Sequence, residues 1–156
     1  MRFLGIDPGT TRIGYGLIEG HREPKLISYG ILAITAAGES ERLRELSETL
    51  EKLLESTMPE VVGVERIFFS KNTKTAMSVA QARGVIIAKL AERGLKIVEW
   101  HPSQVKLAVT NYGQSDKRAV AKMVGKILKV QEFEGYDDAT DALAIAIATA
   151  FNHTSS

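Results

Sequence analysis

Apolar positions in the first forty residues recur in short blocks with the two-residue period of strands. Phe3–Asp7 is a compact apolar run, Arg12–Glu19 alternates around Ile13, Tyr15 and Leu17, and Lys25–Ile34 ("KLISYGILAI") predicts a third strand. The connections between them are short, which favours an antiparallel meander. The period then changes: Leu43, Leu46, Leu50, Leu53 and Leu54 fall at helical spacing over Ser40–Ser56, with glutamates on the other face. "PEVVGVER" (Pro59–Arg66) reads as a fully apolar strand ending in Glu65, Asn72–Arg93 as a long helix, and Leu95–Glu99 as another short strand. Further helices are predicted at Ser103–Thr110, preceded by Pro102, and at Ser115–Leu128. Asp137–Phe151, "DDATDALAIAIATAF", predicts a last helix that turns from amphipathic to buried. The order βββαβαβ followed by helices implies an α/β fold in which three antiparallel strands lead into parallel ones.

Composition narrows the class. A chain of 156 residues is long enough to bury a core without staples, and no linker, repeat or low-complexity tract divides it, so one domain over residues 1–156 is expected. The absence of cysteine excludes disulfides, zinc–thiolate sites and thiol catalysis. No apolar run approaches the roughly 18 residues that span a bilayer. The N-terminus also lacks the basic and apolar regions of a signal peptide, so a soluble, cytoplasmic protein with no membrane partner is expected.

The net charge of +1 conceals strong segregation. Residues 39–65 carry eight acids against three bases, and residues 66–129 carry thirteen bases against three acids, a net +10. Residues 130–156 carry five acids and neither Lys nor Arg. The basic middle suggests a surface facing a polyanion; solvated helix faces are the plainer alternative.

The candidate chemistry lies in the acids that end apolar segments. Asp7 and Glu65 each close an apolar strand, and ligands of open α/β sheets gather at the carboxyl ends of strands. If the two strands are neighbours, the two carboxylates share a site, and each then needs a partner such as a metal or an arginine. In the last helix Asp138 and Asp141 stand at i and i+3 on one face, and Asp137 and Asp141 at i and i+4 do nearly as well. Asp137, at the boundary, is a reasonable N-cap, which tilts the choice toward Asp138. Capping and dipole compensation alone explain Asp141 poorly, because it sits beside the apolar stripe Leu143, Ala146, Ile147 and Ala150. Four carboxylates suit hard divalent cations such as Mg²⁺, two of which, about 4 Å apart, hold an attacking water and a leaving oxygen across one phosphate. The histidines His21, His101 and His153 are scattered and carry no assigned role.

Together the segments "GIDPGTTRIGYG", "VERIFFSKN", "AQARG", "QVK" and "DDATDALAIA" resemble, in order and over nearly the whole chain, the RuvC family of Holliday-junction resolvases. The resemblance implies an RNase H-like fold, with a mixed five-stranded sheet flanked by helices. It implies a homodimer acting on four-way junction DNA, with Mg²⁺ or Mn²⁺ held at Asp7, Glu65, Asp138 and Asp141. It further implies paired symmetric nicks leaving 5′-phosphate and 3′-hydroxyl ends during recombination and repair, with the RuvA–RuvB branch-migration complex as partner. Of the four acids, the Asp138 position varies in the family. Lys106 and Lys117 match lysines that the family places near the scissile phosphate, where a cation meets growing negative charge. Lys89 and Lys126 read as solvated surface groups. Phe68 and Phe69, followed by Lys71, offer aromatic rings in a basic loop for stacking on unpaired bases, with Phe68 as the wedge and strand-end packing the ordinary alternative. Arg66 occupies a position where the family leads one to expect glutamine; it adds a phosphate contact or partly neutralises the acids.

The predicted helix Asn72–Arg93 carries Ala76, Ala80, Gly84 and Ala88, a stripe suited to close approach by a helix or sheet, and the family's dimer interface runs along the corresponding helix. A two-fold dimer also matches a junction with near two-fold symmetry. Three rivals share features. Actin-like ATPases and sugar kinases share the opening turn but need a second, similar half. The YqgF family of RNase H-fold nucleases acting on RNA shares length and opening, but "VERIFFSKN" and "DDATDALAIA" favour RuvC. A non-catalytic nucleic-acid-binding module leaves the carboxylates without purpose.

Overall fold

The computed structural model describes residues 1–66, 73–135 and 137–154. Strands β1 (Arg2–Asp7), β2 (Arg12–Glu19) and β3 (Lys25–Ala33) form the expected meander, followed by helix α1 (Glu39–Thr57) and strand β4 (Val61–Glu65). Helix α2 (Thr73–Glu92), strand β5 (Lys96–Trp100) and helices α3 (Pro102–Thr110), α4 (Lys117–Leu128) and α5 (Asp137–Phe151) complete the order. The sheet runs β3-β2-β1-β4-β5, with β1 antiparallel to β2, β2 antiparallel to β3, and β4 parallel to both β1 and β5. This is the mixed five-stranded sheet that the resemblance implies, and it puts the strands of Asp7 and Glu65 side by side.

The two-residue period decides which way those acids point. Leu4 and Ile6 on β1, with Val62 and Val64 on β4, enter a core formed with Leu46, Leu50, Ile86 and Leu90 of α1 and α2. Phe3 and Val61 enter the opposite core, formed with α3, α4 and α5. Asp7 and Glu65 lie an even number of residues from Phe3 and Val61, so both face the α5 side. The register pairs Ile6 with Val64 in parallel and Asp7 with Gly14 in antiparallel, which sets Asp7, Glu65 and Gly14 together at one end of that face.

Helix α5 is buried almost throughout, from Ala142 to Ala150, and it can lie this close because glycines of the strands lie directly beneath it. A Cβ on Gly5 would collide with the carbonyl oxygen of Ala142, and one on Gly14 with that of Asp138. Farther along, the Trp100 indole N–H donates to Thr149 Oγ1 (2.9 Å), tying β5 to the same helix.

The helix ends account for small departures from expectation. α4 begins at Lys117 because Asp116 is its N-cap, accepting from the Ala119 N–H at 2.7 Å. Ser115 is engaged elsewhere, with Thr110 Oγ1 at 2.5 Å and the Tyr112 carbonyl at 2.7 Å. α3 starts at Pro102 with His101 as cap: its Nδ1 accepts from the Ser103 N–H while Gln104 accepts from the His101 N–H. His101 is therefore structural. Asp137, the expected cap of the last helix, is its first helical residue instead.

Candidate active site

Two strand ends and one helix turn build the site. β1 delivers Asp7, β4 delivers Glu65, and the first turn of α5, laid over Gly14, delivers Asp138 and Asp141 on one face. Carboxylate oxygens of Asp7, Asp138 and Asp141 all lie within 4.8 Å of one another. Glu65 joins the group through Asp7, with which it shares a side-chain hydrogen bond. Asp137 is exposed and faces a different groove, beside Arg118 and Lys122. Between the two acids that spacing leaves open, Asp138 is the one beside Asp7 and Asp141.

Crowding at the edge of a core raises the proton affinity of Asp7, Glu65 and Asp141. Asp7 is pushed up to about 9, first by burial and then by the neighbouring carboxylates of Glu65, Asp141 and Asp138. Glu65 is also raised, chiefly by burial, although the hydrogen bond from Asp7 and the charges of Lys106 and Lys117 oppose the shift. Asp141 is raised by burial as well, against the pull of Lys117. Asp7 and Glu65 are both raised because two neighbouring buried carboxyls disfavour ionising together.

Cations ring the acids. Lys117 Nζ lies 3.1 Å from Asp141 Oδ2, which holds the lysine above its ordinary value. Lys106 and Lys117 line a cavity of about 240 Å³ together with Glu65 and Asp141. Arg12, at the start of β2, reaches Asp138 at 3.5 Å. Sequence reasoning overlooks Arg12; its signal is position alone, because "TTR" leads directly into the strand that carries Gly14. Arg83, from "AQARG", is a second such residue and donates to the carbonyl oxygen of Glu65 at 3.4 Å. Arg66 is exposed and pairs with Glu99 at 3.6 Å, and Arg83 pairs with the same carboxylate. Phe68, Phe69 and Lys71 lie outside the described residues.

The donor set fits a hard divalent cation. It is all oxygen, from three or four carboxylates, and burial beside other carboxylates is what raises the proton affinity of Asp7. A family model described as "Crossover junction endodeoxyribonuclease RuvC" matches residues 3–149. The chain belongs to the RuvC family.

Relatives in that family match across most of their length. A crossover junction endodeoxyribonuclease RuvC from Syntrophomonas wolfei is 46% identical over 149 residues, covering 94% of this chain and 87% of the relative. One from Heliobacterium modesticaldum is 44% identical over 157 residues, covering 99% and 96%. Among solved structures, T. thermophilus RuvC in complex with Holliday junction substrate matches with a TM-score of 0.86 and 30% identity, over 97% of this chain and 93% of that one. The yeast mitochondrial Holliday junction resolvase, at 17% identity and a TM-score of 0.71 over 95% of this chain and 77% of that one, shares the fold. The chain is thus a RuvC-type junction endodeoxyribonuclease of RNase H-like fold with a candidate acidic metal site. No helix among the described residues is long and apolar enough to cross a membrane.

Proposed function

We propose that the chain resolves four-way DNA junctions by paired, symmetric, metal-dependent nicks during recombination and repair, and that a single domain carries the whole site. The observation that carries this reading is the convergence of Asp7, Asp138 and Asp141 within 4.8 Å where two central strands end, in a chain of this family. With Glu65 beside them, these acids would hold two divalent ions, Mg²⁺ with Mn²⁺ as substitute. Bound there, such ions supply Lewis acidity toward a phosphate and its attacking water, and the products are a 5′-phosphate and a 3′-hydroxyl.

The chain's own groups do the rest. Asp7, raised to about 9, must lose its proton before it can act as an anionic ligand. Lys106 and Lys117, at the wall of the cavity beside Glu65 and Asp141, face the place where phosphate charge grows in the transition state. Arg66 and Lys71 add phosphate contacts, and Phe68 and Phe69 stack on bases opened at the junction centre. The homodimer is supported by the exposed face of α2, where Gly84 and Ala88 are turned outward while Ala76 is buried inward. The RuvA–RuvB branch-migration complex is the protein partner that family membership suggests.

Cleavage of a synthetic mobile four-way junction, beside duplex and single strands, with Mg²⁺ or EDTA, tests the reading. Paired nicks on the junction alone, lost in EDTA, are expected. Cutting of single-stranded RNA instead would favour a YqgF-like activity, and tight junction binding without nicks under any divalent metal would reduce the carboxylates to structure.

A further inference from the structure

Helix α4 begins at the active site and leads away from it. Lys117, its first residue, touches Asp141, whereas Arg118, Lys122, Lys126 and Lys129 follow at spacings of four, four and three and so share one face. All four are exposed, and they line one wall of a groove of about 1190 Å³. The carboxylates of that groove, Glu132 and Asp137, come from the following segment and not from α4.

Among the described residues none of these four cations forms an ion pair. That sets them apart from five other bases in the middle of the chain. Lys89 and Arg93 pair with Glu51 of α1, Arg66 and Arg83 with Glu99, and Lys117 with Asp141. Five bases of that segment are therefore neutralised within the fold, and four of those that are not stand in this one row. Like charges at i and i+4 repel, so a fold that leaves four in a row is built to receive an anion.

The length of the row indicates which anion. Arg118 to Lys129 spans eleven residues, about 16 Å at the rise of an α-helix. That is near five base pairs of duplex, or several phosphates along one strand edge, and far more than a small anion needs. The row is also continuous with the catalytic cavity through Lys117.

We propose that the basic face of α4 is a track for the phosphate backbone of the duplex arm that leaves the active site, gripping several phosphates without reading bases. The proposal rests on the resolvase reading and adds to it a surface that orients the arm. Lys126, which singly reads as a solvated group, belongs to this track.

The test is the double variant K122Q/K126Q, at exposed positions remote from the carboxylates, with circular dichroism to check folding. Junction binding is measured against salt, and cleavage is measured at saturating protein. For the variant, the slope of log affinity against log salt should shrink by about 0.9 for each phosphate that the row no longer neutralises, while the single-turnover cleavage rate stays that of the wild type. Trimming the junction arms so that they end short of α4 should bring wild-type affinity down to that of the variant and leave the variant unchanged. An unchanged slope and affinity overturn the proposal and leave the groove to an acidic protein partner. A reduced slope that ignores arm length also overturns it, since the cations would then act at the junction centre. Cleavage by the wild type bears on the resolvase reading alone, so failure of that reading is separable from failure of the track.

Discussion

The ammonium group of Lys117 lies 3.1 Å from Oδ2 of Asp141, so the acidic cluster carries its own counter-cation. The pairing raises Lys117 further, and the lysine stays charged throughout the working pH range. In the proposed mechanism it serves the transition-state phosphate and competes with metal for Asp141. Lys117→Ala should therefore lower single-turnover cleavage by about 10²-fold. The Mg²⁺ concentration giving half-maximal rate should not rise, because Asp141 loses a competitor. A metal titration under single-turnover conditions separates these quantities, and a large rise in the Mg²⁺ requirement would instead make Lys117 an organiser of the carboxylates.

Asp7 should impose a pH dependence on the metal-free protein. Its ordinary value is 3.8 and its folded value about 9, so between them the folded state keeps a proton that the unfolded chain releases. Stability is full below the lower value and falls as pH rises toward the higher one. Metal binding displaces that proton, so stabilisation by Mg²⁺ should grow with pH. In EDTA, Tm should fall between pH 5 and 9 in the wild type and less steeply in Asp7→Asn. The same substitution should abolish cleavage while junction binding persists on the basic surface. A steeper fall in the variant, or parallel loss of binding and cutting at matched folding, would contradict this division of labour.

Which parts of this site can be read from sequence follows from the range of the forces involved. Asp7 and Glu65 are legible because an acid closing an apolar strand is a local anomaly, and the two-residue period then carries both to one face. The choice between Asp137 and Asp138 is not local: i+3 and i+4 spacings are both permitted, and the outcome depends on how closely the first turn of α5 settles on Gly14. Arg12 is hidden for the same reason, since its partner Asp138 is 126 residues away in the chain and meets it only across the sheet. The α4 row is hidden differently. Its charges are visible in the sequence, but they stand out only once the fold has neutralised Lys89, Arg93, Arg66 and Arg83 in ion pairs.

The glycine beneath the first turn of α5 offers a test that touches no charged group. A methyl on Gly14 meets the carbonyl oxygen of Asp138 and must push the helix outward. Gly14→Ala should cost about 1–3 kcal/mol of stability, the usual range for overpacking. Cleavage should fall far more than the folded fraction does, because Asp138 moves away from Asp7. Gly113→Ala serves as the control, since a Cβ there lies 3.5 Å from the Ser103 carbonyl oxygen at an ordinary van der Waals distance. Equal activity of the two variants at a temperature where both are folded would mean that Asp138 need not be held where it is.

The exposed face of α2 tests the dimer. Met77 is 62% exposed there, and Gly84 and Ala88 are turned outward on the same side. A Cβ on Gly84 meets nothing within 4 Å, so within one protomer a larger residue is accommodated. Replacing a helical glycine by arginine should even stabilise an isolated protomer, by about 0.5–1 kcal/mol. If two copies pack through this face, the same side chain and its charge are buried between them and the dimer fails. Gly84→Arg should therefore sediment as a folded monomer, and its two nicks on a junction should become independent events, leaving singly nicked intermediates. A variant that remains a dimer, with coupled nicks, would move the interface away from α2.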